Sequence, residues 1–430
     1  MNCSLLLLPI IRMLLRKLNN WGESFYLAQQ NSDFLGRFFA RPLTRYIPLQ
    51  KNIEFHKLCA VAIFFFAWGH LIFHFLNLQV ANNATVRLFR IWRSDRFKYY
   101  TGAVITNAMF MIYTAAPDIV RSSKFEIFAN THHMFTVFFL VLFVHGPVFF
   151  YWASVPVLLF LIEHLTRLWR GHSPFLVVKV EYINPILSIY FRPQLKEHFK
   201  FKEGQYLYMN CPAISKGEWH PFTISSAYDD LTNGPRIHLE TGEDVEGNVH
   251  AGKLCCPDGL QILCIDGPYS APLEHYRNYG TVMLIAAGIG LTPCASILCA
   301  LTKYRWKKNY NPELVHFYWV VRQAEVDSFQ WLIHMLTDLS YELKKSKATN
   351  QIDKSYYCEI HIYVTAAEKD AIPELRPSNR LQDIWVWNGR PIWDEIFRDM
   401  KDQRQHSDIG VCFCGPVVMG TDLRTMCEKY

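Results

Sequence analysis

"THHMFTVFFLVLFVHG", residues 131–146, is apolar enough to enter a bilayer, yet it carries His132, His133 and His145. An imidazole in hydrocarbon is costly unless it is paired or bound to something. One buried histidine says little. Several at helix-like spacings ask for a shared partner, and a second stretch has the same property. "FHKLCAVAIFFFAWGHLIFH" (55–74) carries His56, His70 and His74.

His56 and His70 lie 14 residues apart. On an ideal helix they share one face, about 21 Å apart along the axis. His132 and His145 lie 13 apart, which gives about 20 Å along the axis but leaves the two rings about 140° off a common face. Each helix therefore offers one histidine near either end. Two parallel helices of this kind can clamp two flat ligands, one above the other, as bis-histidine haem requires. The plain alternative satisfies each ring with a backbone carbonyl, a Ser or Thr hydroxyl, or water; four rings at matched levels favour the clamp. A zinc site would need its ligands close together rather than about 20 Å apart. His133 reads as structural. His74, one turn beyond His70, lines either the site of a final acceptor or a plain interface.

The 430 residues suffice for two or three domains. Apolar residues make up 50% and charged residues 19%, and the apolar runs concentrate before residue 170. Membrane-length segments lie near 57–79, 102–120, 125–149 and 151–169. "CSLLLLPIIRMLL" (3–15) is short, carries Pro9 and Arg12, and reads as a partial span. Arg12, Arg16, Lys17, Arg37, Arg41, Arg45, Lys51 and Lys57 precede the first full span. With Arg121, Lys124, Arg167 and Arg170 they mark a cytosolic side. The opposite connection conflicts with this, holding Arg87, Arg90, Arg93, Arg96 and Lys98 beside the acceptor triplet Asn83-Ala84-Thr85. Five spans with a cytosolic C-terminal half put the N-terminus outside; one further preceding helix would remove that difficulty. The net charge of +6 suits loops beside a membrane or a nucleotide phosphate. Without an aromatic-interleaved basic stripe it does not suggest nucleic acid. The 12 cysteines form neither a C-x-x-C pair nor a disulfide framework.

After residue 171 the pattern becomes that of a water-soluble protein. "FLVVKVEYI", "ILSIYFR", "QYLYMNCP" and "QILCIDGP" read as short strands between turns. From about 278, apolar strands alternate with helical stretches, the signature of a parallel α/β sheet. "HPFTISSA" (220–227) offers backbone amides and hydroxyls from His220, Pro221, Phe222, Thr223 and Ser226 that could hold a flavin. "LIAAGIGLTPCASIL" (284–298) runs a strand into Gly288 and Gly290, then opens a helix at Thr292-Pro293. Glycines let backbone approach a diphosphate, and a helix start favours its charge. Pro293 stands where the dinucleotide fingerprint wants glycine, so a tight strand–helix turn is the alternative. "FCGP" (413–416) sets Cys414, Gly415 and Pro416 at a strand's carboxyl end, where open sheets bind ligands. Arg322 and Arg390 are candidate phosphate contacts, or surface ion-pair partners.

In this order the motifs resemble the NADPH oxidase/ferric reductase superfamily, and most closely the animal NADPH oxidases. The resemblance spans nearly the whole chain. It rests on "NCSLLLLPIIR", "FHKLCAVAIFFFAWGH", "THHMFTVFFLVLFVHG", "EWHPFTISSA", "AAGIGLTPCASIL", "GRPIW" and "CFCGP". It implies a helical transmembrane domain with two b-type haems (residues 1–170), an FAD-binding β-barrel (171–275) and a Rossmann-like α/β domain for NADPH (276–430). The expected protein is an integral membrane oxidoreductase of the plasma membrane or an endomembrane, its flavin and nucleotide domains cytosolic. It would pass electrons to oxygen on the far side and release superoxide or hydrogen peroxide. By position, His56 and His132 match the inner haem ligands, His70 and His145 the outer ones. Phe138 matches an aromatic residue between the haems, and His74 a histidine near the oxygen site. His220–Thr223 match the flavin motif, and Gly288, Gly290, Thr292, Pro293, Arg322, Arg390, Cys414, Gly415 and Pro416 the NADPH side. By the same resemblance, possible partners include cytosolic regulators and a membrane partner subunit.

The sequence also departs from the family. The family's first membrane helix, with an arginine of its oxygen site, has no counterpart. "GPVFFYWASVP" replaces a long outer loop, "HLETGEDVEGN" (238–248) puts Glu240 where a base is expected, and the family's terminal aromatic does not follow Tyr430. One alternative is therefore a ferric or cupric reductase with the same electron path. Another is an inactive oxidase subunit.

Overall fold

The computed structural model describes residues 52–83, 96–146, 148–171, 175–183, 186–193, 201–212, 218–227, 237–238, 263–308, 310–353, 355–366, 384–404 and 408–430, with a few single positions besides. Most of the apolar stretch 3–15 and of the basic N-terminal segment, the 84–95 connection and the segment around Glu240 lie outside this description. The chain forms two compact units, Met1–Thr166 and Arg167–Tyr430.

The first unit is helical: α1 (Asn52–Asn83), α2 (Arg96–Ala115), α3 (Asp118–Ser123), α4 (Phe125–His132), α5 (Phe135–His145) and α6 (Phe149–Gly171), the last continuing past the unit boundary. Among the described residues three stretches are long and apolar enough to cross a membrane: Asn52–Asn77, Phe125–His145 and Val148–Trp169. The span expected at 102–120 is displaced. Its helix begins at Arg96 and Lys98, which lower its apolarity, and ends at Ala115 because Pro117 disfavours helical backbone at Ala116. Phe65, Phe66 and Phe73 of α1 stay more than 60% exposed, as lipid-facing residues would. Ile63, Ala108, Met109, Phe138 and Phe139 form the buried centre.

The single helix expected over 125–149 is two segments. Between α4 and α5, Met134 N–H donates to Thr131 O (3.1 Å) and Thr136 N–H to His133 O (3.0 Å), three residues back instead of four. The His133 ring supplies a cause: its Nδ1 bonds the carbonyl of Ala129 at 2.6 Å, leaving that carbonyl a long 3.3 Å bond from the His133 amide. A side chain inserted into the helical ladder is a recognised source of such breaks. Each tightened step turns the chain by about 120° rather than about 100°. His133 and Met134, the two residues between the segments, have the tighter backbone (ψ −14° and −12°), which recovers about 40° of the angular mismatch between His132 and His145.

The second unit opens with antiparallel strands. β1 (Phe175–Ile183), β2 (Ile186–Pro193) and β5 (Ile237–His238) form one sheet in the order β1-β2-β5. β3 (Tyr206–Asn210), β4 (His220–Thr223) and β6 (Cys264–Tyr269) form another in the order β4-β3-β6. Their core is Phe191, Phe199, Phe201, Leu207, Met209, Ile224 and Ile265. There follow β7 (Thr281–Ala287), α7 (Thr292–Ala300), β8 (Leu314–Arg322), α8 (Gln330–Ala348), β9 (Tyr357–Thr365), β10 (Ile384–Asn388), α9 (Trp393–Gln403), β11 (Ile409–Cys414) and α10 (Val417–Lys429). The five strands form a parallel sheet ordered β10-β9-β8-β7-β11. β7 is almost wholly buried, which is why it reads as a continuous apolar run rather than an alternation.

A buried polar cluster ties the barrel strands to the α/β part. Arg305 Nη2 donates to Glu203 Oε2 at 2.7 Å, and the Tyr276 hydroxyl donates to the same oxygen at 3.3 Å. Glu203 is 1% exposed, and Gln205 beside it donates to Glu274 at 2.8 Å. Arg305→Ala would strand the Glu203 charge, at a cost of about 3–5 kcal/mol. Denaturant unfolding followed by tryptophan fluorescence should show that loss, and the Glu203→Leu/Arg305→Met pair should lose less.

On β9, Glu359 accepts hydrogen bonds from His316 (2.8 Å to Nδ1) and interacts with His361 (3.6 Å to Nε2). The bonds from these two rings hold its carboxyl down from an ordinary 4.5 to about 2. The stability it lends is therefore full above about pH 4.5 and is lost as pH falls toward 2. Thermal melts across that window should show a shallower acid-side decline for Glu359→Gln than for the wild type.

Candidate functional site

In the helical unit the histidines meet in pairs. His56 on α1 faces His132 at the end of α4, ring centroids 6.2 Å apart and planes at 61°. His70 faces His145 at 6.4 Å and 82°. His74 packs 4.5 Å from His70 and 6.5 Å from Tyr99. Two imidazoles on opposite sides of one iron stand about 6 Å apart, given metal–nitrogen bonds of about 2 Å and the ring radii. Both pairs have that separation. His132 Nδ1 is buried and has no hydrogen-bond partner, so the ring is not fully satisfied by protein atoms. No group of three or more His, Cys, Asp or Glu able to hold a metal occurs among the described residues, so the donor sets are two-ligand sets. These observations fit a haem at each level.

Phe138 lies between the levels, 6% exposed and edge-to-face with Phe139 at 5.4 Å. Sequence reading missed Thr101 on α2, whose Oγ1 is 2.9 Å from His145 Nδ1. The one signal it carried was a hydroxyl residue in an apolar helix at the outer level.

In the barrel, His220 and Pro221 on β4 are exposed, Phe222 and Thr223 half-buried. His220 stands 3.7 Å from Glu218. Ser226 follows, 3% exposed, its Oγ buried without a partner. An orphaned hydroxyl next to an exposed strand end suits a polar ligand such as a flavin. The Ser226 carbonyl accepts from Ser296 Oγ at 2.8 Å, so α7 pins this segment from the α/β side. Ser296 was not singled out from sequence, because a lone helical serine carries no signal.

The nucleotide residues gather at the carboxyl ends of the parallel strands. Strand order runs outward from β7 through β8 to β10, then resumes on the other side of β7 with β11. That reversal makes the β7/β11 crevice the switch point where open sheets bind ligands. Gly288 and Gly290 leave β7 there, and Cys414, Gly415 and Pro416 leave β11. Gly288 has φ +53°, and its carbonyl accepts from Trp319 Nε1 at 3.1 Å. A Cβ on Gly290 would sit 2.7 Å from the Cys414 carbonyl carbon and closer still to its oxygen. Thr292 and Pro293 start α7, where the Thr292 amide already donates to Ile289 O and Pro293 has no amide proton; α10 starts without a side-chain cap, so its first amides stay open to a ligand. Arg322 ends β8 with its side chain 76% exposed, 3.7 Å from Glu325. Arg390, after β10, is exposed. Burial pushes the Cys414 thiol up, and Cys412 up to about 12. Cys414 is thus a neutral thiol near pH 7 rather than a reactive thiolate.

Three family models match in series: "Ferric reductase like transmembrane component" over residues 24–143, "FAD-binding domain" over 174–273 and "Ferric reductase NAD binding domain" over 279–428. A superoxide-generating NADPH oxidase heavy chain of Dictyostelium discoideum is 35% identical over 479 residues, covering 100% of this chain and 84% of the relative. Human NADPH oxidase 3 is 28% identical, covering 89% of this chain and 80% of its own. A respiratory burst oxidase homolog of rice is 27% identical over 89% of this chain, which spans 51% of that relative. Among solved structures, the CS-b5R domains of human Ncb5or align over 59% of this chain and 64% of theirs, with 18% identity and a TM-score of 0.36. The chain belongs to the NADPH oxidase family. It is an integral membrane protein with a helical ferric-reductase-like domain and cytosolic FAD- and NAD(P)-binding domains.

Two glycine substitutions separate space from backbone strain. Gly290→Ala forces the Cys414–Gly415 backbone to move, whereas Gly288→Ala meets nothing within 4 Å and costs only its positive φ, about 1–2 kcal/mol. NADPH titration should show a KM rise of about tenfold or more for Gly290→Ala, by analogy with an overpacking cost of about 1–3 kcal/mol, and a smaller rise for Gly288→Ala.

Proposed function

We propose that this chain carries electrons from cytosolic NADPH through FAD and two b-type haems to oxygen on the far side of the membrane. The observation that supports it most is the presence of two facing histidine pairs, at opposite ends of one helix pair, on a chain that also carries a flavin and a nucleotide module. The bound groups supply the conversion of a two-electron donor into one-electron carriers. Everything else is positioning. His56 and His132 would hold the inner haem, His70 and His145 the outer one, with Phe138 filling the space between and excluding water. His74, against His70, would line the oxygen site. His220, Pro221, Phe222, Thr223 and Ser226 would hold the flavin. Gly288, Gly290, Thr292, Pro293, Gly415 and Pro416 would shape the diphosphate site, Arg322 and Arg390 would meet phosphates, and the neutral Cys414 thiol would face the nicotinamide. The proposed domain limits are 1–170, 171–275 and 276–430.

The Dictyostelium relatives are named for generating superoxide, and on that ground superoxide is the proposed first product. Both are also named as heavy chains of an oxidase, which supports a membrane partner for this chain as well. Purified with haem and FAD, the protein should consume oxygen on NADPH addition, and superoxide dismutase should abolish concurrent cytochrome c reduction. Haem that stays oxidised under NADPH would refute the electron path. Reduced haem that turns over ferric chelates but not oxygen would identify a metalloreductase instead.

A further inference from the structure

The two histidine levels differ in what holds the rings from behind. At the inner level, His132 Nδ1 has no hydrogen-bond partner. At the outer level, His145 Nδ1 lies 2.9 Å from Thr101 Oγ1. Thr101 is 9% exposed. Its hydroxyl is also 2.8 Å from Phe97 O and 3.1 Å from Lys98 O, one turn back on α2. A hydroxyl has one proton to donate. With that proton on a backbone carbonyl, the oxygen turns its lone pairs to the imidazole, and the proton between them belongs to His145 Nδ1. Gly102 lets the ring come this near: a Cβ there would sit 3.4 Å from His145 Cε1.

We infer that Thr101 is a positioning residue for His145. Its hydroxyl fixes the Nδ1–H tautomer, leaves Nε2 as the ligand atom, and makes this imidazole a stronger donor than an unsupported one. The inference rests on the haem reading above. A hydrogen bond accepted from the rear N–H raises ligand basicity and is a recognised lever on a bound metal. A more basic axial ligand favours ferric over ferrous iron and lowers the midpoint potential. Thr101 therefore makes the outer centre a stronger reductant toward the final acceptor. At the inner level no such bond reaches His132 Nδ1.

The test is a spectroelectrochemical titration of the full-length protein, comparing wild type, Thr101→Val and Thr101→Ser. Val keeps the shape and removes the hydroxyl; Ser keeps the hydroxyl. In Thr101→Val one midpoint should rise and the other stay, with a changed low-spin ferric EPR signal for the shifted centre. Thr101→Ser should match the wild type. The shift should persist in a His132→Ala background, which isolates the outer centre. Loss of one haem from Thr101→Val but not from Thr101→Ser would equally assign the role to the hydroxyl. Unchanged potentials in Thr101→Val, or the same change in both variants, would overturn the inference. Absence of haem from the wild type would instead overturn the reading on which it rests.

Discussion

Imidazoles in an apolar helix must be satisfied, and the helical unit is arranged around that requirement. Four rings face one another in two pairs, 6.2 and 6.4 Å apart, separations that an iron bound between them would satisfy. The geometry depends on a fifth, His133, which faces neither pair. By bonding the Ala129 carbonyl it loosens one turn, the backbone tightens to three-residue bonds, and α5 leaves with a new phase. Without that extra rotation, His132 and His145 would point to sides of the helix about 140° apart. A residue that reads as a bystander thus shifts the relative aim of two proposed ligands, by about 40°.

The soluble unit rests on a comparable close approach. The switch point between β7 and β11 becomes a crevice only because Gly290 and the Cys414–Gly415 backbone come within contact distance. The uncapped start of α10 leaves its first amides open beside it. Ser296 reaches from α7 to the carbonyl of Ser226, so the helix beside the proposed nucleotide crevice also anchors the proposed flavin segment. Cys414 is a half-buried neutral thiol, which suits a contact residue better than a nucleophile.

Much of this was legible in the sequence. The four histidines, the strand–Gly288-Ile289-Gly290–helix turn and the Cys414-Gly415-Pro416 strand end are local signals, each tied to one element. Element type was legible for the same reason, since apolar runs of membrane length and alternating strands and helices differ in period. What was not legible depended on contacts between distant segments. The break at His133 follows from a side chain competing for one carbonyl, which no spacing rule contains. Thr101, Ser296 and the Glu203–Arg305 pair are ordinary residues until the fold brings their partners within 3 Å. The helix expected at 102–120 was misplaced because apolarity alone does not register the stop that Pro117 imposes.

The central claim is that one chain holds two haems on two separate histidine pairs. Haem-to-polypeptide ratio, measured on the purified full-length protein and on His132→Ala and His145→Ala, tests it most directly. The account predicts two haems in the wild type and one in each variant, with the two remaining centres differing in spectrum and potential. Two haems retained in either variant, or the same single centre surviving in both, would contradict it.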